Sequence, residues 1–259
     1  MKIEQVAAIT WTIREACKTA EDFRISMQKL ADIGYKAVQV SSRPPVELMS
    51  NAEVVEACQT AGLTICATHE NADAILNNTE TAIQNLKELS CTYTAYPFPA
   101  NLDLGDVDVL KDFCDKLDKA GAAFREEGLV LTYHNHAIEF QKVAGKTILD
   151  TIYDETDPSN LQGEIDTYWV QSGGGNPVEW CQKLNNRLPL LHMKDLGVYS
   201  GNESTMTEIG AGNLDFKAIL KVAESAGCQW FIVEQDECPG DPFESLKQSF
   251  DYIRVNLVV

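Results

Sequence analysis

A strand-like run of apolar residues that recurs about every thirty residues is the feature that most constrains the fold. Each run is followed by an amphipathic stretch with helical spacing, and the eight runs occupy 3–10, 37–42, 63–69, 93–98, 129–134, 163–166, 188–193 and 230–235. Eight strand–helix units in a chain of this length match the size of a (β/α)8 barrel. We therefore predict an α/β fold, a single-domain (β/α)8 TIM barrel over residues 1–259. An open doubly wound sheet is the alternative, but residues 9–15 lack the glycine-rich loop that usually follows its first strand.

Helix boundary signals agree with this reading. Residues 106–127 form the clearest amphipathic segment. Asn176-Pro177 and Asp241-Pro242 each place a capping residue before a proline at the first helical position. Four glycines lie where a helix is predicted to end and the next strand to begin: Gly34, Gly62, Gly128 and Gly227.

Composition restricts the class of protein. The hydrophobic fraction of 44% supports a full core, and no apolar run approaches the length needed to span a membrane. The N-terminus has no cleavable apolar stretch, and the eight cysteines form no CxxC pair. A net charge of −18 would repel a nucleic-acid backbone. We expect a cytoplasmic protein with reduced thiols and without nucleic-acid or membrane partners, and a homo-oligomer is compatible with the sequence.

The residues at the predicted strand ends are polar and rich in acids. In a (β/α)8 barrel the carboxyl ends of all eight strands face one shared pocket. In chain order, the residues at these ends are Trp11, Arg43, His69, Glu70, Tyr96, His134, Asp166, His192, Lys194 and Glu234. The sequence therefore predicts a pocket for a small molecule at this rim.

Three of these residues predict a metal site. Asp166, His192 and Glu234 end three successive strands. Two carboxylates with an imidazole suit Mn²⁺, Mg²⁺ or Co²⁺, and Zn²⁺ is an alternative. Taken singly, each has a structural alternative, since an Asp after a strand is often a helix cap and a His in an apolar strand is often a core residue. Their joint placement favours the metal site.

The stretch HNHAIEF, residues 134–140, is the densest group of polar residues at a strand end. Either of its histidines, His134 or His136, could act as a base or bind substrate, because imidazole titrates near neutrality. The alternative is a polar loop packed on aromatic neighbours. Trp169 could stack on a sugar face or form a plain wall. The residues predicted to bind substrate are His69, His134, Trp169 and Lys194.

With these motifs, the chain resembles the sugar phosphate isomerase/epimerase family of xylose isomerase-like barrels. The resemblance covers nearly the whole chain through YHNHAIEF, GEIDTYWVQSGGGNP, LLHMKD, EIGAGNLDF and IVEQDE, in that order. In similar ketose 3-epimerases, Glu, Asp, His and Glu from the fifth to eighth strands hold a divalent ion. Three of these ligands correspond to Asp166, His192 and Glu234. The fifth strand here ends on His134 instead of Glu, which leaves Glu139 as the substitute for the first metal ligand.

The resemblance implies a metal-dependent enzyme that acts on a sugar, keto-sugar or cyclitol through an enediolate. A metal bound by adjacent carbonyl and hydroxyl oxygens acidifies the intervening C–H, and a carboxylate or histidine then moves the proton. The candidate catalytic bases are Glu139, Glu234 and His136. Returning the proton gives epimerisation or isomerisation, which is the leading expectation. Expelling a leaving group gives a lyase of the inosose-dehydratase or keto-glycoside-cleaving type, which is the alternative.

Two further classes are disfavoured. Endonuclease IV-type repair proteins share the barrel but need a histidine-rich cluster of three zinc ions and a basic face, whereas this chain has four histidines and a charge of −18. A non-catalytic binding barrel would not need so complete a polar rim. Arg43 and Lys194 are the evident cations at strand ends, so an uncharged sugar fits better than a phosphorylated one.

Overall fold

The computed structural model describes residues 1–42, 45–199 and 201–258, so the strand-end cation Arg43 lies outside the described residues. Eight parallel strands close into a barrel: β1 (Val6–Ile9), β2 (Ala37–Ser41), β3 (Thr64–His69), β4 (Tyr93–Tyr96), β5 (Val130–His134), β6 (Leu161–Asp166), β7 (Leu190–Met193) and β8 (Trp230–Val233). Strands adjacent in sequence are adjacent in space, and β8 pairs with β1. Each predicted strand run is confirmed, and with them the (β/α)8 barrel.

Ten α-helices surround the barrel in the described part of the chain: α1 (Ala20–Ile33), α2 (Asn51–Thr60), α3 (Ala72–Asn77), α4 (Thr79–Glu88), α5 (Val107–Glu126), α6 (Ile148–Asp154), α7 (Thr167–Ser172), α8 (Pro177–Lys183), α9 (Phe216–Ser225) and α10 (Pro242–Asn256). The Asn176 and Asp241 side chains cap α8 and α10 as predicted. Gly34 and Gly227 have positive φ where their helices end. None of these helices is long and apolar enough to cross a membrane.

The barrel interior changes from apolar to polar along its axis. Seven buried residues form an apolar cluster separate from the larger one: Ala7, Ile9, Ala37, Cys66, Ala67, Leu190 and Ile232. A second, larger cluster fills the space between strands and helices. Toward the carboxyl ends of the strands, the buried side chains become polar or charged. Polar groups in a closed barrel need partners from other strands, so this end of the barrel is the place where a functional site can be built.

Strand alternation decides which polar residues share the interior. Residues two apart on a strand point to the same face, so Glu164 and Asp166 on β6 both point inward, one layer apart. Both are fully buried, and both carboxylates face His134. The register of the parallel strands pairs Asp166 with His192 and pairs His192 in turn with Ile232. The inward residues of β5 to β8 therefore meet in two stacked polar layers.

Two short antiparallel hairpins extend the rim: Lys142–Val143 pairs with Lys146–Thr147 after β5, and Asp195–Val198 pairs with Ser204–Thr207 after β7. The sequence pattern did not predict either hairpin. Beyond the second hairpin, the Asp195 carboxylate accepts backbone N–H groups from residues 210, 212 and 214. A side chain at Gly212 would place its Cβ 2.4 Å from this carboxylate, so the loop requires glycine there.

Candidate active site

A cavity of about 540 Å³ opens at the carboxyl ends of the strands. Its walls combine aromatic rings with titratable groups, among them Trp11, Phe98, His69, His134, His136 and Glu234. These residues come from five different strand–loop junctions, which is how a (β/α)8 barrel assembles its pocket. The predicted location of the site at this rim therefore agrees with the structure.

Four buried side chains meet at the base of this cavity. His134, Asp166, His192 and Glu234 each offer one ligand atom, and these atoms lie within 4.8 Å of one another. His192 Nδ1 lies 2.9 Å from Glu234 Oε2, and His134 Nε2 lies 4.0 Å from Asp166 Oδ2. We call these four residues the metal-ligand group. Its members follow consecutively around the barrel, from the ends of β5, β6, β7 and β8.

The charges of this region fit a divalent cation. Three carboxylates, those of Glu164, Asp166 and Glu234, are 0 to 3% exposed, and Lys194 is the buried ammonium among them. Lys194 Nζ lies 3.4 Å from Asp166 Oδ2 and 3.2 Å from Glu234 Oε2. One lysine leaves two buried negative charges uncompensated, and an uncompensated buried charge is costly. Asp166 Oδ2 also accepts no hydrogen bond from the described residues. Both observations suit an ion of charge +2.

The pKa values show the same imbalance. Burial alone would lower the pKa of His192, but the carboxylates of Glu164 and Glu234 raise it to about 10. Burial raises the pKa of Asp166 to about 7, against the opposing effect of Lys194. Without another cation, the group therefore neutralises itself by holding protons. A metal ion bound by the same atoms would replace them.

Glu139 lies apart from the metal-ligand group. Its buried carboxylate accepts a hydrogen bond from the Tyr133 hydroxyl at 2.8 Å and another from the backbone N–H of His136 at 2.7 Å. Both oxygens are thus occupied, and burial raises the pKa of Glu139. The structure does not bring Glu139 to the position predicted for the first metal ligand or to the cavity. His134 occupies the corresponding place in the group.

The two histidines of the HNHAIEF stretch have different surroundings. His134, predicted to bind substrate, belongs to the metal-ligand group and also lines the cavity. His136 lines the cavity, with its ring 4.9 Å from Phe98 and 5.6 Å from Trp169 between centroids. The buried Nδ1 of His136 has no hydrogen-bond partner among the residues that the structure describes. It is available to a ligand.

Of the other predicted substrate-binding residues, one lines the cavity and two do not. His69 lines the cavity. Lys194 is not among the described residues that line the cavity, but it contacts the lining residue Asp236, with Nζ 2.7 Å from Oδ2. Trp169 is also not among them; it packs against His136 and Lys194, whose Nζ lies 5.1 Å from the ring centroid. Lys194 and Trp169 therefore contact residues of the cavity wall without lining it themselves.

Sequence reasoning missed Gln39 and Glu164. Gln39 Nε2 donates to Glu164 Oε2 at 2.7 Å, and both residues are fully buried. A prediction that considers only the last residue of each strand misses the inward-pointing side chains that lie two residues earlier. The signal was available in GEID, because the residue two before Asp166 points to the same face. No comparable signal marks Gln39 within the strand Ala37–Ser41.

Known proteins with similar sequences include several named inosose dehydratase. An inosose dehydratase from Geobacillus thermodenitrificans is 27% identical over 157 residues, 54% of this chain and 52% of the relative. Another from Clostridium perfringens is 23% identical over 288 aligned positions, 96% of this chain and 95% of the relative. The chain thus spans about half the length of the first relative and nearly all of the second.

Fold comparison and the family profile agree. A solved structure of a sugar phosphate isomerase/epimerase from Parabacteroides distasonis has a TM-score of 0.82 at 21% identity, covering 99% of this chain and 96% of that chain. At this identity the likeness shows the fold. The names of the similar proteins include both a lyase and an isomerase/epimerase. The family profile described as xylose isomerase-like TIM barrel matches residues 27–255. The chain therefore belongs to the xylose isomerase-like TIM barrel family.

Proposed function

We propose that this protein is a metal-dependent lyase that dehydrates an uncharged keto-sugar or cyclitol. A base removes the proton from the carbon next to a carbonyl and then returns it to the hydroxyl on the following carbon, so that the C–O bond breaks, water leaves and a C=C bond forms. The observation that carries the proposal is the buried metal-ligand group at the base of a cavity of about 540 Å³. The relatives named inosose dehydratase support this reaction class.

We assign the metal site to His134, Asp166, His192 and Glu234. A bound divalent ion would polarise the carbonyl and adjacent hydroxyl oxygens of the substrate and so acidify the C–H between them. Two imidazoles with two carboxylates favour Mn²⁺, Co²⁺ or Zn²⁺ over Mg²⁺, which prefers oxygen ligands. This is one imidazole more than the sequence-based ligand set contained.

Proton transfer is assigned to a residue at the cavity wall. His136 offers a ring nitrogen that no described side chain occupies, and a base must reach the substrate proton directly or through one water. Glu234 also lines the cavity, but it belongs to the metal-ligand group and contacts with His192 and Lys194 fix its orientation, so the proton transfer is assigned to His136. Glu139 receives no catalytic role, because its two oxygens are bonded within the protein.

The ligand set favours elimination over epimerisation. Returning a proton to the opposite face requires a proton-carrying group on each side of the substrate. In the ketose 3-epimerases that this chain resembles, a glutamate ends the fifth strand, whereas here His134 does and Glu139 lies away from the group. Elimination needs one base. Epimerisation or isomerisation is the second candidate, supported by the structural likeness to a protein named as an isomerase/epimerase.

The charges around the cavity favour an uncharged substrate. Glu234, Asp236 and Glu237 line it, and Arg14 is the strong base among its described lining residues. The Arg14 guanidinium already donates to the backbone carbonyls of Trp11 and Asp236, both at 2.9 Å. A phosphate would therefore meet more carboxylates than cations. Hydroxyl groups, which both donate and accept, suit this wall.

We also propose that the protein works in the reducing environment of the cytoplasm on a small molecule, without nucleic-acid partners. All eight cysteines are free. An oxidising compartment would expose eight unpaired thiols to disulfide exchange. The net charge of −18 opposes binding to a phosphate backbone.

Metal analysis combined with a substrate screen tests the proposal. Plasma mass spectrometry of untagged protein should find about one Mn, Co or Zn per chain, absent from His192→Ala and Glu234→Gln. Keto-sugars and inososes should then lose water, with solvent deuterium exchange at the acidified carbon. Exchange without water loss would favour the epimerase candidate instead. Wild-type protein that binds no divalent ion on reconstitution would contradict metal-dependent chemistry altogether.

A further inference from the structure

Glu164 lies one layer beneath the metal-ligand group and has no place in the proposed reaction. Its Oε1 is surrounded by three imidazole nitrogens: His69 Nε2 at 2.5 Å, His192 Nε2 at 3.0 Å and His134 Nδ1 at 3.1 Å. All four side chains are buried. The other Glu164 oxygen, Oε2, accepts a hydrogen bond from Gln39 Nε2. Glu164 therefore faces nitrogen atoms at both of its oxygens.

Gln39 completes the arrangement from the opposite side of the barrel. Its Nε2 donates to Glu164 Oε2 at 2.7 Å, and its Oε1 lies 2.7 Å from His192 Nε2. An amide has one donating side and one accepting side. The donating side of Gln39 faces Glu164, and its accepting side faces His192. His192 Nε2 therefore has to carry a proton.

We propose that Glu164 and Gln39 are positioning residues that determine which ring nitrogen each histidine presents to the metal. His192 holds its Nε2–H on Gln39 and Glu164 and presents Nδ1, which lies 2.9 Å from Glu234 Oε2. His134 holds its Nδ1–H toward Glu164 and presents Nε2, the nitrogen on the Asp166 side. This inference rests on the metal site of the proposed function.

The Glu164 carboxylate also fixes the orientation of a histidine that lines the cavity. His69 holds Nε2 against Glu164 and lines the cavity. Its Nδ1 is then left as an acceptor for a substrate hydroxyl. A carboxylate that accepts the second N–H of a ligating histidine orients the ring and makes it a more basic ligand. Glu164 thus contacts two proposed metal ligands, His134 and His192, and the predicted substrate-binding residue His69 through a single oxygen atom.

A competing arrangement places the ion one layer deeper. His69, His134, Glu164 and His192 also offer ligand atoms within 4.8 Å of one another. His69 Nε2 is hydrogen-bonded to Glu164 Oε1 at 2.5 Å, whereas His192 Nε2 and His134 Nδ1 lie 3.0 and 3.1 Å from the same oxygen, and His134 Nδ1 has no hydrogen-bond partner among the described residues. Gln39 also occupies the second oxygen of Glu164. These contacts favour Glu164 as a hydrogen-bond acceptor rather than a ligand, and the two arrangements predict different protonated nitrogens.

The four histidines make a direct test feasible. All four, His69, His134, His136 and His192, surround this site, so a long-range ¹H–¹⁵N correlation spectrum of the Zn²⁺-loaded protein contains no unrelated imidazole. Single His→Gln variants assign the signals. We expect a protonated Nδ1 on His134, a protonated Nε2 on His192, and zinc on the other nitrogen of each. Zinc on Nε2 of His192, or on any nitrogen of His69, would overturn the inference.

Metal affinity provides a second readout that does not depend on turnover. Glu164→Gln and Gln39→Leu should each weaken Zn²⁺ or Co²⁺ binding by about ten- to a hundredfold in competition with a chromophoric chelator. Both should also shift the visible absorption bands of the Co²⁺-loaded protein. The matched control is Glu70→Gln, a buried carboxyl on the rim that hydrogen-bonds Asn85 instead of a histidine. It should leave affinity and spectrum unchanged.

The outcomes separate this inference from the proposed function. If wild-type protein binds no ion, both fail. If it binds one ion and neither variant changes affinity or spectrum, only the positioning role fails. Gln39→Leu keeps the test decisive if Glu164→Gln does not fold, because it removes the partner of His192 Nε2 and leaves the Glu164 charge in place.

Discussion

Arg187 is expected to be a major structural support of the strand that carries the site. Its guanidinium donates to three backbone carbonyls: those of Leu161 at 2.7 Å, Tyr153 at 2.7 Å and Thr156 at 3.1 Å. It also donates to the Thr156 hydroxyl at 2.7 Å, and it is buried. Leu161 begins β6, the strand of Glu164 and Asp166, and Tyr153 lies in the last turn of α6. One side chain therefore holds the α6–β6 connection in place.

The magnitude follows from the number of acceptors. Arg187→Met would leave three buried carbonyls without this donor, at about 1 kcal/mol or more each, so the loss is about 3 kcal/mol. For a chain of this size that lowers Tm by about 6–12 °C. Arg187→Lys should recover little of it, because an ammonium cannot reproduce the planar fork of the guanidinium. Urea denaturation followed by circular dichroism, with a thermal scan, measures both quantities.

Arg125 provides the matched control. Its guanidinium makes an exposed hydrogen bond to the Ser159 hydroxyl in the same α6–β6 connection. Arg125→Met should change the free energy of unfolding by less than about 0.5 kcal/mol, as exposed substitutions usually do. The reasoning is refuted if Arg187→Met unfolds at the same urea concentration as wild type. It is equally refuted if the two methionine variants cost the same.

Three further predictions concern packing, titration and thiols. Gly121→Ala should cost about 1–3 kcal/mol, because its Cβ would lie 2.1 Å from the carbonyl oxygen of Asn160, whereas Gly240→Ala, with no atom within 4 Å, should be neutral in urea denaturation. Burial raises the pKa of Glu70 in the folded protein above its value in the unfolded chain. The folded protein is therefore most stable, as far as Glu70 is concerned, below the unfolded pKa, and it loses this stability as pH rises through the folded pKa. The advantage of Glu70→Gln should therefore grow from pH 4 to pH 8, and a constant difference would contradict this. Cys238 is half-buried and the other seven cysteines are buried, so Ellman's reagent should modify at most one thiol rapidly in native protein and all eight in guanidinium, and two fast thiols would argue against this packing.

Much of the fold could be predicted because its signals are local. Strand β5 and the helix Val107–Glu126 follow from periodicity within a few residues of each position. The hairpin Asp195–Val198 with Ser204–Thr207 could not be predicted in the same way. Its strands are short and mixed in polarity, and the Asp195 carboxylate organises the loop beyond it through backbone groups 15 to 19 residues away. Contacts of that range leave no periodic trace in the sequence.

The residues of the candidate site also differ in whether local sequence signals can predict them. Asp166, His192 and Glu234 could be predicted because each ends a strand, and barrel geometry brings strand ends together. The position of Glu139 could not, because it depends on a single turn after β5 that directs the carboxylate back to Tyr133 and away from the cavity. Gln39 is recognisable only once the barrel is closed, since its partners lie 125 and 153 residues away.

Comparing the two polar layers gives a physical reason why a histidine can end β5 in this family member. In the ketose 3-epimerase pattern, three carboxylates and one histidine surround the ion. Here His134 stands in place of one carboxylate, and Glu164 lies one layer below, in contact with that same histidine. The number of buried carboxylates near the ion is therefore unchanged, while one of them acts through imidazole rings. A carboxylate in that position still raises ligand basicity, but it cannot reach the substrate. Under the proposed function, this exchange would keep the charge that holds a divalent ion and would remove one carboxylate from the substrate side of the site, as expected for a site that eliminates water instead of reprotonating its substrate.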